Sequence, residues 1–241
     1  MTEDDVIGDI ARRGLKRIEC AVADFTSIPR GKIFSADYFQ AHRALRLSSF
    51  FLGITVTCRE PDRLYTDFIP KTMPDVGFQP DWSTFAIDPV AQVPTGTVLC
   101  DATGAFASPH GTEMDCAGLM PRTMLKRVIA RLADAGYSAR VAPELEFALV
   151  RYADDKGTTL LPALGCAGAV PHVEATAESF SLEAAHGQAP YFDALWAACE
   201  HLRIPITGFA HEASAGQYEV NFAPGEPLAQ ADAVFRFKSL A

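Results

Sequence analysis

The sequence predicts an α+β protein in two parts, on three observations. Over roughly the first hundred residues, short runs of alternating apolar residues accompany a single short helical pattern. The first long helical pattern begins only at Pro121. Between them, Phe106 to Thr112 gathers Ser, Pro, His, Gly and Thr, the composition of a connecting segment. We therefore expect one domain over 1–108 and a second over 109–241. With 241 residues, 49% of them hydrophobic and 21% charged, the chain can bury a core in each part.

The elements follow in order. Val6, Ile7, Ile10 and Ala11 share one helical face from Glu3 to Arg13, with Gly14 as a stop. Ile18, Cys20 and Val22 alternate toward a turn at Asp24, Pro29 and Gly31, and Lys32 to Ser35 begins the return strand. A strand-rich stretch is expected over Leu47 to Thr57, and a short strand over Val98 to Asp101. Asp88, Asp101 and Asp115 read as turn or cap residues. After Pro121, Met124, Leu125, Val128, Ile129 and Leu132 repeat at helical spacing until Gly136. A strand is expected from Ala139 to Arg151. A second long helix covers Ala189 to Leu202, with Phe192, Leu195, Trp196 and Cys199 on one face. Ile204 to Ala213 and Gln217 to Phe222 read as a hairpin around Ala215-Gly216, and a final helix starts near Pro227.

Composition excludes several functions. The formal net charge is −9 and no Lys/Arg cluster occurs, which argues against nucleic-acid binding. The start, MTEDDVIGDI, is acidic where a secretory signal would be basic. The most apolar stretch, Leu47 to Val56, is too short to span a bilayer. The six cysteines are far apart and form no C-x-x-C pair, so reduced thiols in a cytoplasmic protein are expected. There is no Walker or Rossmann glycine loop, no G-x-S-x-G and no H-E-x-x-H; the glycines near Gly168 read as a flexible loop.

The chemistry lies in carboxylates. Residues two apart in a strand face the same way, so Glu144 and Glu146 of VAPELEFALV share one side while Leu145, Phe147 and Leu149 share the other. In HEASAGQYEVNF, a two-residue turn at Ala215-Gly216 pairs Ser214 with Gln217 and sets Glu212 opposite Glu219. Like charges opposed across a ladder repel. A divalent cation would relieve that, and an oxygen-only donor set suits magnesium, manganese or calcium better than zinc. The alternatives are a solvent-facing edge strand and a wet, charged turn. His211, of opposite parity to Glu212, reads as a partly buried histidine hydrogen-bonded to backbone rather than a ligand.

PELEF (Pro143 to Phe147) followed by HEASAGQYEVNF (His211 to Phe222) resembles the metal-binding segments of the glutamine synthetase family. VADFTSIPRGK (Val22 to Lys32), PDWSTFAIDP (Pro80 to Pro89), LCD (Leu99 to Asp101) and PRTMLKR (Pro121 to Arg127) resemble further family segments in the same order. RLSSFFLGITV (Arg46 to Val56) stands where the family's D-G-S-S segment is expected. With the run from Glu219 to Lys238, it is closer to the γ-glutamylpolyamine synthetase branch, such as glutamate–putrescine ligases. The family's acidic residue five positions before the hairpin glutamate is Thr207 here. Its later histidine motif, arginines and last metal glutamate have no counterpart in these residues.

The resemblance implies a β-grasp amino-terminal domain, then the first part of a catalytic domain with a curved antiparallel sheet. It implies Mg2+ or Mn2+ as cofactor, ATP as co-substrate, and ligation of the glutamate γ-carboxylate to ammonia or a small amine through γ-glutamyl phosphate. By motif, Glu144 would hold the metal shared with the ATP phosphates. Glu146, Glu212 and Glu219 would hold the metal beside glutamate, Glu146 also touching that substrate. Asn221 and Phe222 would begin the nucleotide pocket. A homo-oligomeric ring is implied, with the apolar run Phe50 to Ile54 expected to face a neighbouring subunit. The 241 residues alone are expected to be inactive. Two other readings stand beside this: a truncated, non-catalytic homologue that binds metal or modifies assembly of a full-length partner, and an unrelated acidic α+β protein whose carboxylates face water.

Overall fold

Thr2 starts the first helix with a reciprocal cap: its hydroxyl accepts the Asp5 N–H while the Asp5 carboxylate accepts the Thr2 N–H. This computed structural model describes residues 1–153, 157, 159–167, 170–173 and 179–241. The chain divides into two compact units, Met1–Ala139 and Arg140–Ala241.

The first unit runs α1 (Glu3–Arg12), β1 (Arg17–Ala23), β2 (Pro29–Ser35), α2 (Ala36–His42), β3 (Leu45–Ser48), β4 (Asp75–Pro80), β5 (Ala86–Ile87) and β6 (Thr95–Thr103). The small hairpin β7 (Ala105–Ala107) and β8 (Glu113–Asp115) follows, then α3 (Pro121–Asp134). Its main sheet has the order β2-β1-β6-β4-β3, with β5 also on β6. The central pair β1–β6 is parallel and the other pairings are antiparallel. This is the β-grasp arrangement. Ile18, Cys20 and Val22 of β1 and Val98 and Cys100 of β6 turn to one core with Val6 and Ile10 of α1 and Phe39 of α2. The β1–β2 turn closes on Asp24, 3% exposed, whose Oδ1 accepts from Thr26 N, Thr26 Oγ1 and Ile28 N.

Two expectations change here. The strand-rich stretch ends at Ser48, and Ser49–Leu52 forms a 3-10 turn capped by the Ser48 hydroxyl. Within Phe50 to Ile54, Phe51 and Leu52 are buried in this unit's own core and Phe50 packs against it. Phe50 and Ile54 themselves stay partly exposed. Asp101 is not a turn residue: it sits in β6 and accepts hydrogen bonds from Arg122 and Lys126 of α3. Asp88 and Asp115 do cap local N–H groups, Val90 and Ala91 for the first, Ala117 and Gly118 for the second.

The second unit contains β9 (Glu144–Ala148), β10 (Val150–Tyr152), β11 (Leu160–Pro162), β12 (Leu164–Ala167), β13 (Val170–Val173), α4 (Leu182–Gly187), α5 (Ala189–Leu202), β14 (Ile206–His211), β15 (Gln217–Phe222) and α6 (Pro227–Leu240). Its three-stranded antiparallel sheet has the order β14-β15-β9. Tyr218, Val220 and Phe222 of β15 are buried with Phe192, Leu195 and Cys199 of α5 and Phe237 of α6, and Leu145 and Phe147 of β9 pack against them. Phe192 stacks on Phe209 with ring centroids 4.0 Å apart. The α+β class is as the sequence predicts. The loop reading near Gly168 lies outside the described residues, and so does the side chain of Cys166.

Candidate metal and substrate site

Burial of the aromatic face of β15 decides where the polar residues go. Tyr218, Val220 and Phe222 turn inward, so Gln217, Glu219 and Asn221 must turn outward. The β15–β9 register pairs Gln217 with Ala148, Glu219 with Glu146 and Asn221 with Glu144. Directly paired residues point to the same side of a sheet, so Glu144 and Glu146 join Glu219 on the outer face. On β14, Ala210 lies opposite Glu219 and Gly208 opposite Asn221. The third strand thus adds only small residues beside the carboxylates.

The hairpin differs from the expected one. The Glu212 N–H donates to the Gln217 carbonyl at 2.8 Å, and the Gln217 N–H donates to the Ser214 carbonyl at 2.9 Å. The loop therefore spans four residues, Ala213 to Gly216, and Glu212 does not lie opposite Glu219. The carboxylate that opposes Glu219 is Glu146. The shift is two residues, which preserves parity, so Glu212 stays on the same face as Glu219. Gly216 makes the loop possible. Its φ is +70°, and a side chain there would meet the Leu149 carbonyl oxygen at 2.8 Å.

Three of the four glutamates have one oxygen held by an N–H donor. Gln217 Nε2 donates to Glu146 Oε2 at 2.7 Å, Asn221 Nδ2 donates to Glu219 Oε1 at 2.8 Å, and Ala213 N donates to Glu212 Oε2 at 3.1 Å. Each keeps its other oxygen for a further partner. Among the described residues, no group of three or more His, Cys, Asp and Glu side chains closes to metal-binding distance in this arrangement. The donor set is nonetheless oxygen-rich and of one charge sign, which fits a hard divalent cation.

The remaining candidates are placed as follows. Asn221 is on the carboxylate face. The Phe222 side chain is not: it is 3% exposed in the aromatic core, edge-on to Phe237 at 5.5 Å. His211 is 1% exposed and packs edge-on against Tyr218 at 5.0 Å, on the side away from Glu212. Thr207 is exposed and donates to the Asn221 carbonyl at 3.3 Å. Sequence reasoning missed Gln217. Its parity with Glu219, two residues on, was the available signal.

The folds of the two units are of glutamine synthetase type. Residues 118–241, just over half of the chain, match the family model "Glutamine synthetase, catalytic domain", and the chain belongs to the glutamine synthetase family. It is 25% identical to a glutamine synthetase of Halobacterium salinarum over 99% of this chain and 47% of that protein. It is 29% identical to a glutamate–isopropylamine ligase of a Pseudomonas species over 58% of this chain and 30% of that protein. Among solved structures, an ADP complex of the protein GmaS aligns over 98% of this chain and 48% of that one, with a TM-score of 0.72 at 18% identity, a likeness of fold. The chain thus spans about half the length, or less, of these relatives.

Proposed function

We propose that this chain is part of an ATP-dependent ligase that joins the γ-carboxylate of glutamate to ammonia or a small amine through γ-glutamyl phosphate. The observation that carries the reading is the direct opposition of Glu146 and Glu219 on an outward sheet face, inside the segment matched to the catalytic domain. Two carboxylates in that relation repel unless a cation lies between them. Glu146, Glu219 and Glu212 would hold a divalent ion beside glutamate, and Glu144, opposite Asn221, one nearer the nucleotide. Such an ion, when bound, offsets negative charge on the transferring phosphoryl group and on the carboxylate it reaches. The protein's own share is to fix the donors in place. With its side chain committed to the core, Phe222 offers the nucleotide only its backbone. A homo-oligomeric ring and a cytoplasmic setting belong to the same reading.

The test is phosphate release from ATP by the longest product of the gene, with magnesium, glutamate and a panel of ammonia, isopropylamine and putrescine. Release that needs both glutamate and one of the amines is expected, with the γ-glutamyl amide as product. ATP turnover indifferent to glutamate would sink the proposal.

A further inference from the structure

We infer that Gln217 is a positioning residue for the metal site. It holds the Glu146 carboxylate so that one oxygen is committed to the protein and the other is presented to the cation. The inference rests on the metal-site reading above.

The argument begins with the amide itself. A glutamine side chain can rotate to exchange its oxygen and nitrogen, so it orients a neighbour only if its own orientation is set. In Gln217 it is set. Oε1 accepts the Ser214 backbone N–H at 3.1 Å, which leaves Nε2 as the end that faces Glu146 Oε2, at 2.7 Å. The main chain of Gln217 is committed as well, its N–H to the Ser214 carbonyl and its carbonyl to the Glu212 N–H. One residue therefore ties together the loop that follows Glu212 and the carboxylate of Glu146 on the adjacent strand.

A short hydrogen bond to an ionised acceptor has a directional consequence. Glu146 faces Glu219 across the ladder, and without a tether the two carboxylates would swing apart. Gln217 restrains the first by Oε2. Asn221 restrains the second by Oε1, at 2.8 Å. Each opposed glutamate is left with a single untethered oxygen, so one-oxygen coordination from each is the geometry that the amides favour. Partners of this kind, which orient a ligand without touching the metal, typically change metal affinity by about 10–100-fold when removed.

The experiment is Mn2+ binding, without nucleotide or glutamate, followed by electron paramagnetic resonance, with infrared difference spectra of the carboxylate stretches. Wild type, Gln217→Met, Asn221→Ala and Glu219→Gln are compared, with circular dichroism as the check on folding. Gln217→Met keeps length and volume and removes the donor. The expected result is roughly a 10–100-fold weaker Mn2+ affinity with an unchanged circular dichroism spectrum. The separation between the asymmetric and symmetric carboxylate stretches should also narrow, as Glu146 becomes free to coordinate through both oxygens. A merely structural role would leave that separation unmoved. If Gln217→Met fails to fold, Asn221→Ala tests the same principle on Glu219, with the same narrowing expected. Wild-type affinity and spectra in a folded Gln217→Met would overturn the positioning role while leaving the metal site standing. Equal Mn2+ binding by wild type and Glu219→Gln would overturn the metal site, and the positioning role with it.

Discussion

Arg122 holds Asp101 through its guanidinium, Nη1 lying 2.8 Å from Oδ1 and 2.9 Å from Oδ2. Its Nη2 reaches Asp81 at 2.8 Å, and Lys126 Nζ lies 2.6 Å from Asp101. These four residues come from PDWSTFAIDP, LCD and PRTMLKR, three segments of the family resemblance that carry no obvious chemistry. Their common role is to fix α3 to the sheet. The helix needs it: Met124, Leu125, Val128, Ile129 and Leu132 form the apolar stripe that the spacing predicts, yet no residue of α3 is buried. Polar contacts therefore carry much of its attachment to the first unit.

Arg122→Met should destabilise the first unit by about 2 kcal/mol, because it leaves two partly buried carboxylates without their main counter-charge. The Arg122 side chain is only 11% exposed. Lys126, at 36%, lies at the rim, and Lys126→Met should cost less than about 1 kcal/mol. Urea unfolding read by Trp82, in a Trp196→Phe background so that the other tryptophan is silent, separates the two. Equal losses would contradict the assignment of Arg122 as the centre of the network.

The same network sets a pH dependence. Burial works to raise the Asp81 carboxyl, but the Ser83 hydroxyl, Arg122 and Lys126 outweigh it and bring it from 3.8 to about 2. A carboxyl lowered in the folded state contributes its stability above the unfolded value and loses it as pH falls toward the folded one. The stability gap between wild type and Asp81→Asn should therefore be constant above about pH 5 and shrink between about pH 4 and pH 2. Urea midpoints measured across that range give the curve. A gap that first shrinks near neutral pH would point to a different group.

Thiol reactivity should separate the described cysteines sharply. Cys58 is exposed, while Cys20, Cys100, Cys116 and Cys199 are buried. The neighbouring Cys20 thiol and burial both push Cys100 upward, and burial pushes Cys199 up to about 11. Thiolate is the nucleophile, so a buried thiol with a raised pKa reacts slowly. Brief iodoacetamide treatment of native protein, followed by peptide mass spectrometry, should label Cys58 well before those four. Rapid labelling of Cys100 would mean that the β1–β6 core opens.

Local pattern carried much of this fold. Pro121 at the start of α3 and Gly136 beyond it, at φ +79°, bracket the helix as their chemistry requires. The bounds of α5 coincide with those read from periodicity. What was not legible was partnership. β4, DVGFQP, contains Gly and Pro and reads poorly as a strand, yet it lies between β6 and β3 because Val76, Phe78 and Pro80 are all buried. The Asp81–Arg122 contact joins residues 41 apart, a distance that no helical or strand period encodes. At the candidate site, parity placed all four glutamates on one face. It could not distinguish Ala210 from Glu212 as the neighbour of Glu219, since the two registers differ by two residues and present the same faces.

That register has a consequence for stability without metal. Glu146 and Glu219 are directly paired, and like charges in such a pair cost about 0.2–1 kcal/mol. Glu219→Gln removes the repulsion. It also keeps an oxygen that can accept from Asn221, which now donates to Glu219 Oε1. The variant should accordingly be as stable as wild type or slightly more so in the presence of a chelator. With magnesium the order should reverse. A cation that binds only the folded state raises stability in proportion to the logarithm of its concentration over its dissociation constant, and that gain needs both carboxylates. Wild type should therefore gain thermal stability as magnesium is titrated, while Glu219→Gln stays flat and falls behind. Thermal unfolding of both proteins, in chelator and across a magnesium series, reads the crossing directly. Parallel curves would show that the paired glutamates are not a metal site. A Glu219→Gln variant markedly less stable in chelator would show that the opposed charges are already relieved by contacts other than those of Gln217 and Asn221.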